Sequence, residues 1–221
     1  MVAFAPIRAA AIERIGEQSL AERLPPVRGA AALAALPDDR YLSLLSLRIF
    51  RAGLKHSLVD SKWPAFEAVF HGFVPAAVLA MPDEAVEALM GDSRLIRHWG
   101  KMRAVRNNAA VLAAISSSHG GFGRFLAEWP LARTIELWAE LAKRFEQMGG
   151  ESGPRFLRMA GRDSFIFSPS VTAALSHWGV TETLKTKPER ARAQAQFLDW
   201  SGETGLPLAH LSMILACSID D

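Results

Sequence analysis

Apolar residues recur at intervals of three and four positions along almost the whole chain, and no stretch alternates strictly between apolar and polar residues. The clearest segment begins at Asp38 and carries Leu42, Leu45 and Ile49 on one face. This period is that of an amphipathic α-helix. Prolines and glycines interrupt the pattern where helices are expected to begin and end. The sequence therefore predicts an all-α fold, a compact bundle of about ten helices with two lobes around a cleft.

The chain has 221 residues, half of them hydrophobic, which is enough for one sizeable core. We expect a single domain over residues 1–221, divided into N-terminal helices (1–37), central helices (38–133) and C-terminal helices (134–221). No apolar run approaches the ~20 residues of a membrane span, and no secretory signal is recognisable. Cys217 is the only cysteine, which excludes an intramolecular disulfide. These features predict a cytoplasmic protein without a membrane partner.

The formal net charge is only +2 at pH 7, so the total charge does not by itself indicate a nucleic-acid partner. Positive charge is nevertheless concentrated locally. One run between Ser93 and Ala110 contains no Asp or Glu and holds Arg94, Arg97, Lys101, Arg103 and Arg106. Such a run is either a solvated helix face or a surface for phosphate groups, and the sequence leaves both interpretations open.

A glycine-rich turn between two predicted helices, at residues 148–153, lies among further basic residues. Glycines allow a tight turn with positive φ, and the free N–H groups of the helix that follows can bind an anion. Such a hairpin is either an ordinary αα-turn or a site for DNA phosphates without base specificity, and the family resemblance given below favours the second. The predicted DNA-binding residues, with Lys101 from the first basic run, are Lys101, Lys143, Gly149, Gly150, Gly153 and Arg155.

Three segments follow one another in an order that is more specific than any of them alone: RAGL at 51–54, KWPAFE at 62–67 and IRHWGK at 96–101. This ordered set resembles the 3-methyladenine DNA glycosylase I family, and in particular a branch without the zinc site. The resemblance implies a helix-hairpin-helix glycosylase fold. It also implies an enzyme that flips an alkylated, 3-methyladenine-like base out of the duplex and hydrolyses its N-glycosidic bond.

The resemblance assigns the base pocket to Arg48, His56 and Trp63, with two departures from the family pattern. Arg48 occupies the position of the family's glutamate, and His56 occupies that of an aromatic residue after the AGL segment. A second positive charge ~4 Å from a cationic base would cost on the order of 4 kcal/mol at an effective dielectric of ~20. If Arg48 faces the pocket, a neutral or anionic group is therefore a better ligand than a cationic purine. Trp63 can stack on a base or belong to the core.

Related glycosylases place a catalytic aspartate after the hairpin, but the corresponding segment here, residues 167–171, contains no carboxylate. Asp163 comes too early for that role and is expected to cap a helix or bind backbone near Ser164. Asp60 is the remaining candidate for a catalytic acid or base. A helix cap and an ion pair with Lys62 or Arg51 are the alternatives for Asp60.

The family's zinc ligands have no counterpart, since two of those positions fall near Ser170 and Ala174. We therefore expect neither a metal nor another cofactor. The predicted partner is double-stranded DNA with a damaged base, bound by a monomer. Two other functions remain open: a DNA-binding relative whose glycosylase activity is lost or altered, and a helical scaffold that binds another protein.

Overall fold

The computed structural model describes residues 2–220, and every regular element in that range is helical. Fourteen α-helices and three short 3-10 helices follow one another in the described residues, without a strand. The α-helices are α1 (Phe4–Ile15), α2 (Glu17–Arg23), α3 (Ala30–Ala35), α4 (Asp38–Arg51), α5 (His56–Val69), α6 (Pro75–Leu79), α7 (Asp83–Ala88), α8 (Trp99–His119), α9 (Phe122–Glu128), α10 (Thr134–Arg144), α11 (Ser152–Met159), α12 (Pro169–His177), α13 (Lys187–Thr204) and α14 (Leu208–Ala216).

The predicted all-α class is confirmed, and the number of helices is higher than the expected ten. Helices α2, α3, α6 and α7 are only five to seven residues long. A helix of that length completes at most about two turns, because each turn takes 3.6 residues. It cannot show a repeating apolar face, and α3 and α6 were therefore not predicted from the sequence pattern.

The described chain divides into two compact units. The first contains residues 2–28, 130–138 and 161–220, and the second contains residues 29–129 and 139–160. Each unit is therefore assembled from segments that are distant in sequence. The glycine-rich hairpin, which was expected to group with the C-terminal helices, belongs to the second unit together with α4 and α5.

The core of the first unit consists mostly of aliphatic side chains, and a group of aromatic rings packs among them. Phe165 stacks parallel to Phe197 with ring centroids 4.7 Å apart, and Phe4 packs on Trp200 at 5.3 Å. The indole N–H of Trp200 donates a hydrogen bond to the carbonyl of Val2, which ties the N-terminal segment to α13. Burial of these large apolar surfaces supplies most of the driving force for folding of this unit.

Helix α4 is the central element of the second unit and packs against α5, α8, α9 and α11. Its fully buried positions recur every three or four residues: Tyr41, Leu42, Leu45, Ile49 and Phe50. This spacing places one face of the helix in the core. Arg48 and Arg51 lie off that face in the last turn and are only half-buried. The amphipathic pattern of α4 thus decides where these two arginines are presented.

A close contact between α3, α4 and α9 fixes the start of α4. The Tyr41 hydroxyl donates a hydrogen bond of 2.8 Å to the carbonyl of Leu33, and Gly123 on α9 lies against the same pair. A Cβ atom on Gly123 would overlap the Leu33 carbonyl oxygen and come within 2.8 Å of the Tyr41 ring. Only glycine allows the helices to approach this closely.

We expect Gly123→Ala to lower the free energy of unfolding by ~1–3 kcal/mol, because the added methyl group must displace backbone in a packed interior. Urea denaturation followed by circular dichroism measures this change. Gly202→Ala is the matched control, since Gly202 is exposed within α13 and nothing lies within 4 Å of the place that an added methyl group would take. The control should be neutral or stabilising by up to ~1 kcal/mol. Equal stability of both variants would contradict the close contact.

Candidate functional site

A cavity of about 520 Å³ opens in the second unit, where the end of α4 meets the first turns of α5 and α11. Its volume is within the usual range of small-molecule sites. The charged and apolar side chains that line it are Arg48, Arg51, Leu54, His56, Glu151 and Arg155. The structure therefore brings together two predicted base-binding residues, Arg48 and His56, with Arg155 of the hairpin.

Two of the three arginines in this cavity have acidic partners. Arg155 pairs with Glu151 at 2.5 Å, and Arg51 pairs with Asp60 at 2.7 Å. Arg48 has no ion-pair partner within residues 2–220, and its Nε atom is buried without a hydrogen bond. The unbalanced positive charge of the cavity is therefore that of Arg48.

The surroundings of Arg48 are positive. Burial and the charge of Arg155 lower the pKa of the Arg48 guanidinium, Arg51 adds to this effect, and Glu151 opposes it. An arginine nevertheless stays protonated in a folded protein. The lowered pKa reflects loss of hydration first and repulsion by Arg155 and Arg51 second, and it is the repulsion that disfavours additional positive charge beside Arg48.

Lys101 belongs to the basic run between Ser93 and Ala110, but its side chain is buried. It is only 8% exposed, and its ammonium donates hydrogen bonds to the carbonyls of Phe50 (3.3 Å) and Ala52 (2.7 Å). These carbonyls belong to the end of α4, where helical partners run out. Burial, followed by repulsion from Arg48, lowers the pKa of Lys101. This geometry contradicts the expectation that Lys101 contacts DNA, because the ammonium serves as a cap for α4.

Asp60, the predicted catalytic residue, lies in the second turn of α5 with its carboxylate bound to Arg51. Of the three alternatives from the sequence, the ion pair with Arg51 is the one observed. Asp60 lines a second cavity, of about 670 Å³, together with Trp63 and Arg51, and not the cavity of Arg48 and His56. The carboxylate that lines the latter is Glu151, which was not predicted from the sequence.

Trp63 belongs to an aromatic cluster. Its indole N–H donates to the Ser43 hydroxyl, and its ring stacks nearly parallel to those of Phe66 (5.0 Å) and Phe73 (5.3 Å). It remains partly exposed towards the second cavity. Trp63 therefore belongs to the core. Its contact with a base stays a prediction, and Trp63 does not line the cavity of Arg48.

The predicted hairpin is formed by α10, a turn at residues 145–151 and α11. Of its three glycines only Gly150 has a positive φ, of 58°, whereas Gly153 is buried within the first turn of α11. Gln147 takes the other positive φ, of 63°. Gly149 and Gly150 are exposed, as is Lys143 at the end of α10, and all three remain available to a phosphate.

The turn is held by a side chain that was not predicted from the sequence. Asn108, buried on α8, accepts a hydrogen bond from the Glu146 N–H (2.8 Å) and donates one to the Glu146 carbonyl (3.1 Å). The side chain of Asn107 adds a bond to the Glu146 carboxylate. A polar side chain between the apolar residues Val105 and Leu112 of α8 was the available signal, because a buried asparagine requires hydrogen-bond partners.

Asp163 is engaged with the first turn of α14. Its carboxylate accepts hydrogen bonds from the N–H groups of Leu208 (3.1 Å) and Ala209 (2.8 Å). Asp163 therefore caps a helix, which was one of the two expected roles. The backbone that it binds is that of α14 and not that near Ser164. In the segment that follows, the Ser168 hydroxyl caps α12 by accepting from the Val171 N–H.

No group of three or more His, Cys, Asp and Glu side chains is placed to hold a metal ion within residues 2–220. In the same part of the chain, none of the helices is both long enough and apolar enough to cross a bilayer.

Comparison with known proteins connects this geometry to a family. The sequence model of the methyladenine glycosylase family matches residues 33–150, a segment that runs from α3 to Gly150 in the hairpin. DNA-3-methyladenine glycosylase 1 of Escherichia coli K12 is 39% identical over 89 residues, which are 40% of this chain and 48% of that protein. The chain thus matches about half the length of this curated relative.

Solved structures show the same fold. A crystal structure of 3-methyladenine DNA glycosylase I superimposes with a TM-score of 0.52 at 23% identity, covering 65% of this chain and 86% of the other. The Methanocaldococcus jannaschii 8-oxoguanine glycosylase/lyase, solved in complex with DNA, superimposes with a TM-score of 0.51 at 13% identity. The match covers 95% of this chain and 93% of the other. The fold is that of the helix-hairpin-helix glycosylases. Because the family model matches more than half of this chain, the chain belongs to the methyladenine glycosylase family.

We expect Lys101→Met to lower the free energy of unfolding by ~1.5–3 kcal/mol, because two carbonyls at the end of α4 lose a charged donor. Lys143→Met, at an exposed position, should change it by no more than ~0.5 kcal/mol. Urea denaturation of both variants beside the native protein measures the difference. A Lys101→Met variant as stable as the native protein would show that the ammonium does not hold α4.

Proposed function

We propose that the protein is a DNA glycosylase that flips a damaged base out of duplex DNA and hydrolyses its N-glycosidic bond. The observation that carries this proposal is that Arg48 and His56 line one cavity. Both residues belong to the segment that matches the methyladenine glycosylase family. The target bond is buried in the base stack of a duplex, so an enzyme of this kind needs a pocket for the extruded base. A cavity of about 520 Å³ has room for one nucleobase.

The hairpin supports the DNA-binding part of the proposal. Lys143, Gly149 and Gly150 are exposed, and Arg155 extends from α11 into the cavity. Backbone N–H groups and cations in this arrangement suit phosphate oxygens, and they carry no base specificity. Binding of the DNA backbone and recognition of the base are thereby assigned to adjacent but different residues.

Glu151 is our candidate for the group that orients and polarises the attacking water. It is the carboxylate that lines the cavity, where Arg155 holds it at 2.5 Å. Asp60 instead holds Arg51 in position from outside that cavity, which makes it a positioning residue in this proposal. The aspartate position used by related glycosylases is not replaced by Asp163, whose carboxylate is occupied by α14.

A DNA-binding relative with lost or altered hydrolysis is the second candidate. The observation that favours it is the charge of Arg48 in the cavity, at the position where the family carries a glutamate. Such a protein would bind duplex DNA in a salt-dependent manner and would release no base.

The proposal predicts release of a free base from duplexes that carry methylated, deaminated or oxidised bases, resolved by chromatography under single-turnover conditions. Glu151→Gln should slow release by ~100-fold or more, the range of general acid–base catalysis. Asp60→Asn is the paired variant and should slow release by less than ~10-fold, because Arg51 keeps its place in the helix.

Binding of every duplex without release of any base would support the second candidate and contradict the first. A larger loss in Asp60→Asn than in Glu151→Gln would restore Asp60 as the catalytic carboxylate. Thermal unfolding of both variants serves to exclude loss of the fold as the cause.

We further expect Gly150→Ala to weaken binding of damaged and undamaged duplexes by the same factor of about 5 to 30, because a residue with φ of 58° is strained by ~1–2 kcal/mol when it carries a Cβ. Gly149→Ala is the matched control, because Gly149 has no positive φ and open space around it. Fluorescence anisotropy with labelled duplexes measures both affinities. A change in the ratio of damaged to undamaged binding would mean that the hairpin contacts the base.

A further inference from the structure

Arg48 is the one arginine of the cavity whose charge is not matched by an acid within residues 2–220. Its two neighbours are neutralised in ion pairs, Arg51 with Asp60 and Arg155 with Glu151. The buried Nε of Arg48 lacks a hydrogen-bond acceptor. An unused buried donor is costly, and the part of the guanidinium that lines the cavity still has N–H groups to donate to a ligand.

The charges around Arg48 act against any cation that enters the cavity. Arg51 and Arg155 line the same space, and the ammonium of Lys101 lies at the end of α4, close enough to interact with Arg48. A base that carries a positive charge is repelled here. An uncharged base is not repelled, and its carbonyl oxygen can accept from a side chain that offers only N–H donors.

We infer that this cavity selects an uncharged damaged base that presents a carbonyl oxygen to Arg48, and that it discriminates against cationic methylated bases. The inference rests on the proposed glycosylase function and names its substrate class. Deaminated bases such as hypoxanthine and uracil, and oxidised purines, have the required chemistry. Methylated purines that are cations in DNA do not.

The charge of Arg48 also suits the bond that breaks. The electron pair of the C1′–N bond leaves with the base, and water adds its oxygen to C1′. One proton of that water passes to the departing base when the base was uncharged, and to solvent when the base was a cation. A base that is uncharged in DNA leaves as an anion, whereas a cationic base leaves as a neutral molecule. A fixed guanidinium beside the leaving group stabilises the anion that forms in the first departure, whereas it repels a cationic base already when that base enters the cavity.

A DNA phosphate is the rival occupant of the same positive cavity. It would be bound by the same donors, but its presence in every duplex would make the contact independent of the base. The two occupants therefore differ in one measurable property: a base contact changes the preference among duplexes, and a phosphate contact changes all affinities alike.

The test uses duplexes with 2′-fluoroarabino nucleotides, which resist hydrolysis, so that binding is measured apart from turnover. One duplex carries hypoxanthine, one carries cationic 7-methylguanine, and one is undamaged. We expect the native protein to bind hypoxanthine at least ~10-fold more tightly than 7-methylguanine, from repulsion at an effective dielectric of ~20. Arg48→Gln should abolish this preference, and Arg48→Glu should reverse it. Circular dichroism melting confirms that each variant is folded.

Equal affinity of the native protein for the two damaged duplexes overturns the inference, as does a preference that survives in Arg48→Gln. A uniform loss for all three duplexes in Arg48→Gln overturns it in favour of a phosphate. Failure to bind any duplex overturns both this inference and the proposed function. The predicted preference without release of any base contradicts hydrolysis alone. A larger rate enhancement over spontaneous release for cationic than for uncharged bases contradicts the selectivity alone.

Discussion

One buried ammonium holds the end of the helix on which the cavity depends. Lys101 on α8 donates to the carbonyls of Phe50 and Ala52, the last groups of α4, which no longer have helical partners. A positive charge at a helix C-terminus is also favoured by the helix dipole. The positions of Arg48, about one turn before Ala52, and of Arg51, between the two bonded residues, follow from this contact and from the buried face of α4.

The same contact places a further cation close to the cavity. Lys101 caps α4, and its charge contributes to the environment that Arg48 experiences. Because Glu151 and Asp60 neutralise Arg155 and Arg51, the charge that a ligand meets is concentrated on a single side chain. A cavity with this arrangement suits an acceptor-bearing, uncharged group more than a cation. The fold of the family is thus retained, while the electrostatics of this site differ from what a glutamate would create.

The sequence predicted the class of fold and the family, and it located Arg48 and His56 together. These predictions depended on local periodicity and on ordered segments, both of which are properties of neighbouring residues in the chain. The roles of single polar residues were harder to predict. Asp60 was predicted as a catalytic acid or base, with an ion pair as one alternative, and in the structure its carboxylate binds Arg51 and lines a different cavity from that of Arg48. Lys101 was assigned to the surface and is buried.

By itself the sequence determined the helical pattern, the segments that mark the family and the substitution of Arg48 for the family's glutamate. The first two follow from residue types and spacing, and the third is what the resemblance to the family implies. Only the tertiary structure decided that Lys101 caps α4, that Asn108 holds the backbone of Glu146, and that Glu151 replaces Asp60 as the carboxylate of the cavity. The reason is physical: a polar side chain takes its role from the partners that distant segments bring within hydrogen-bond distance.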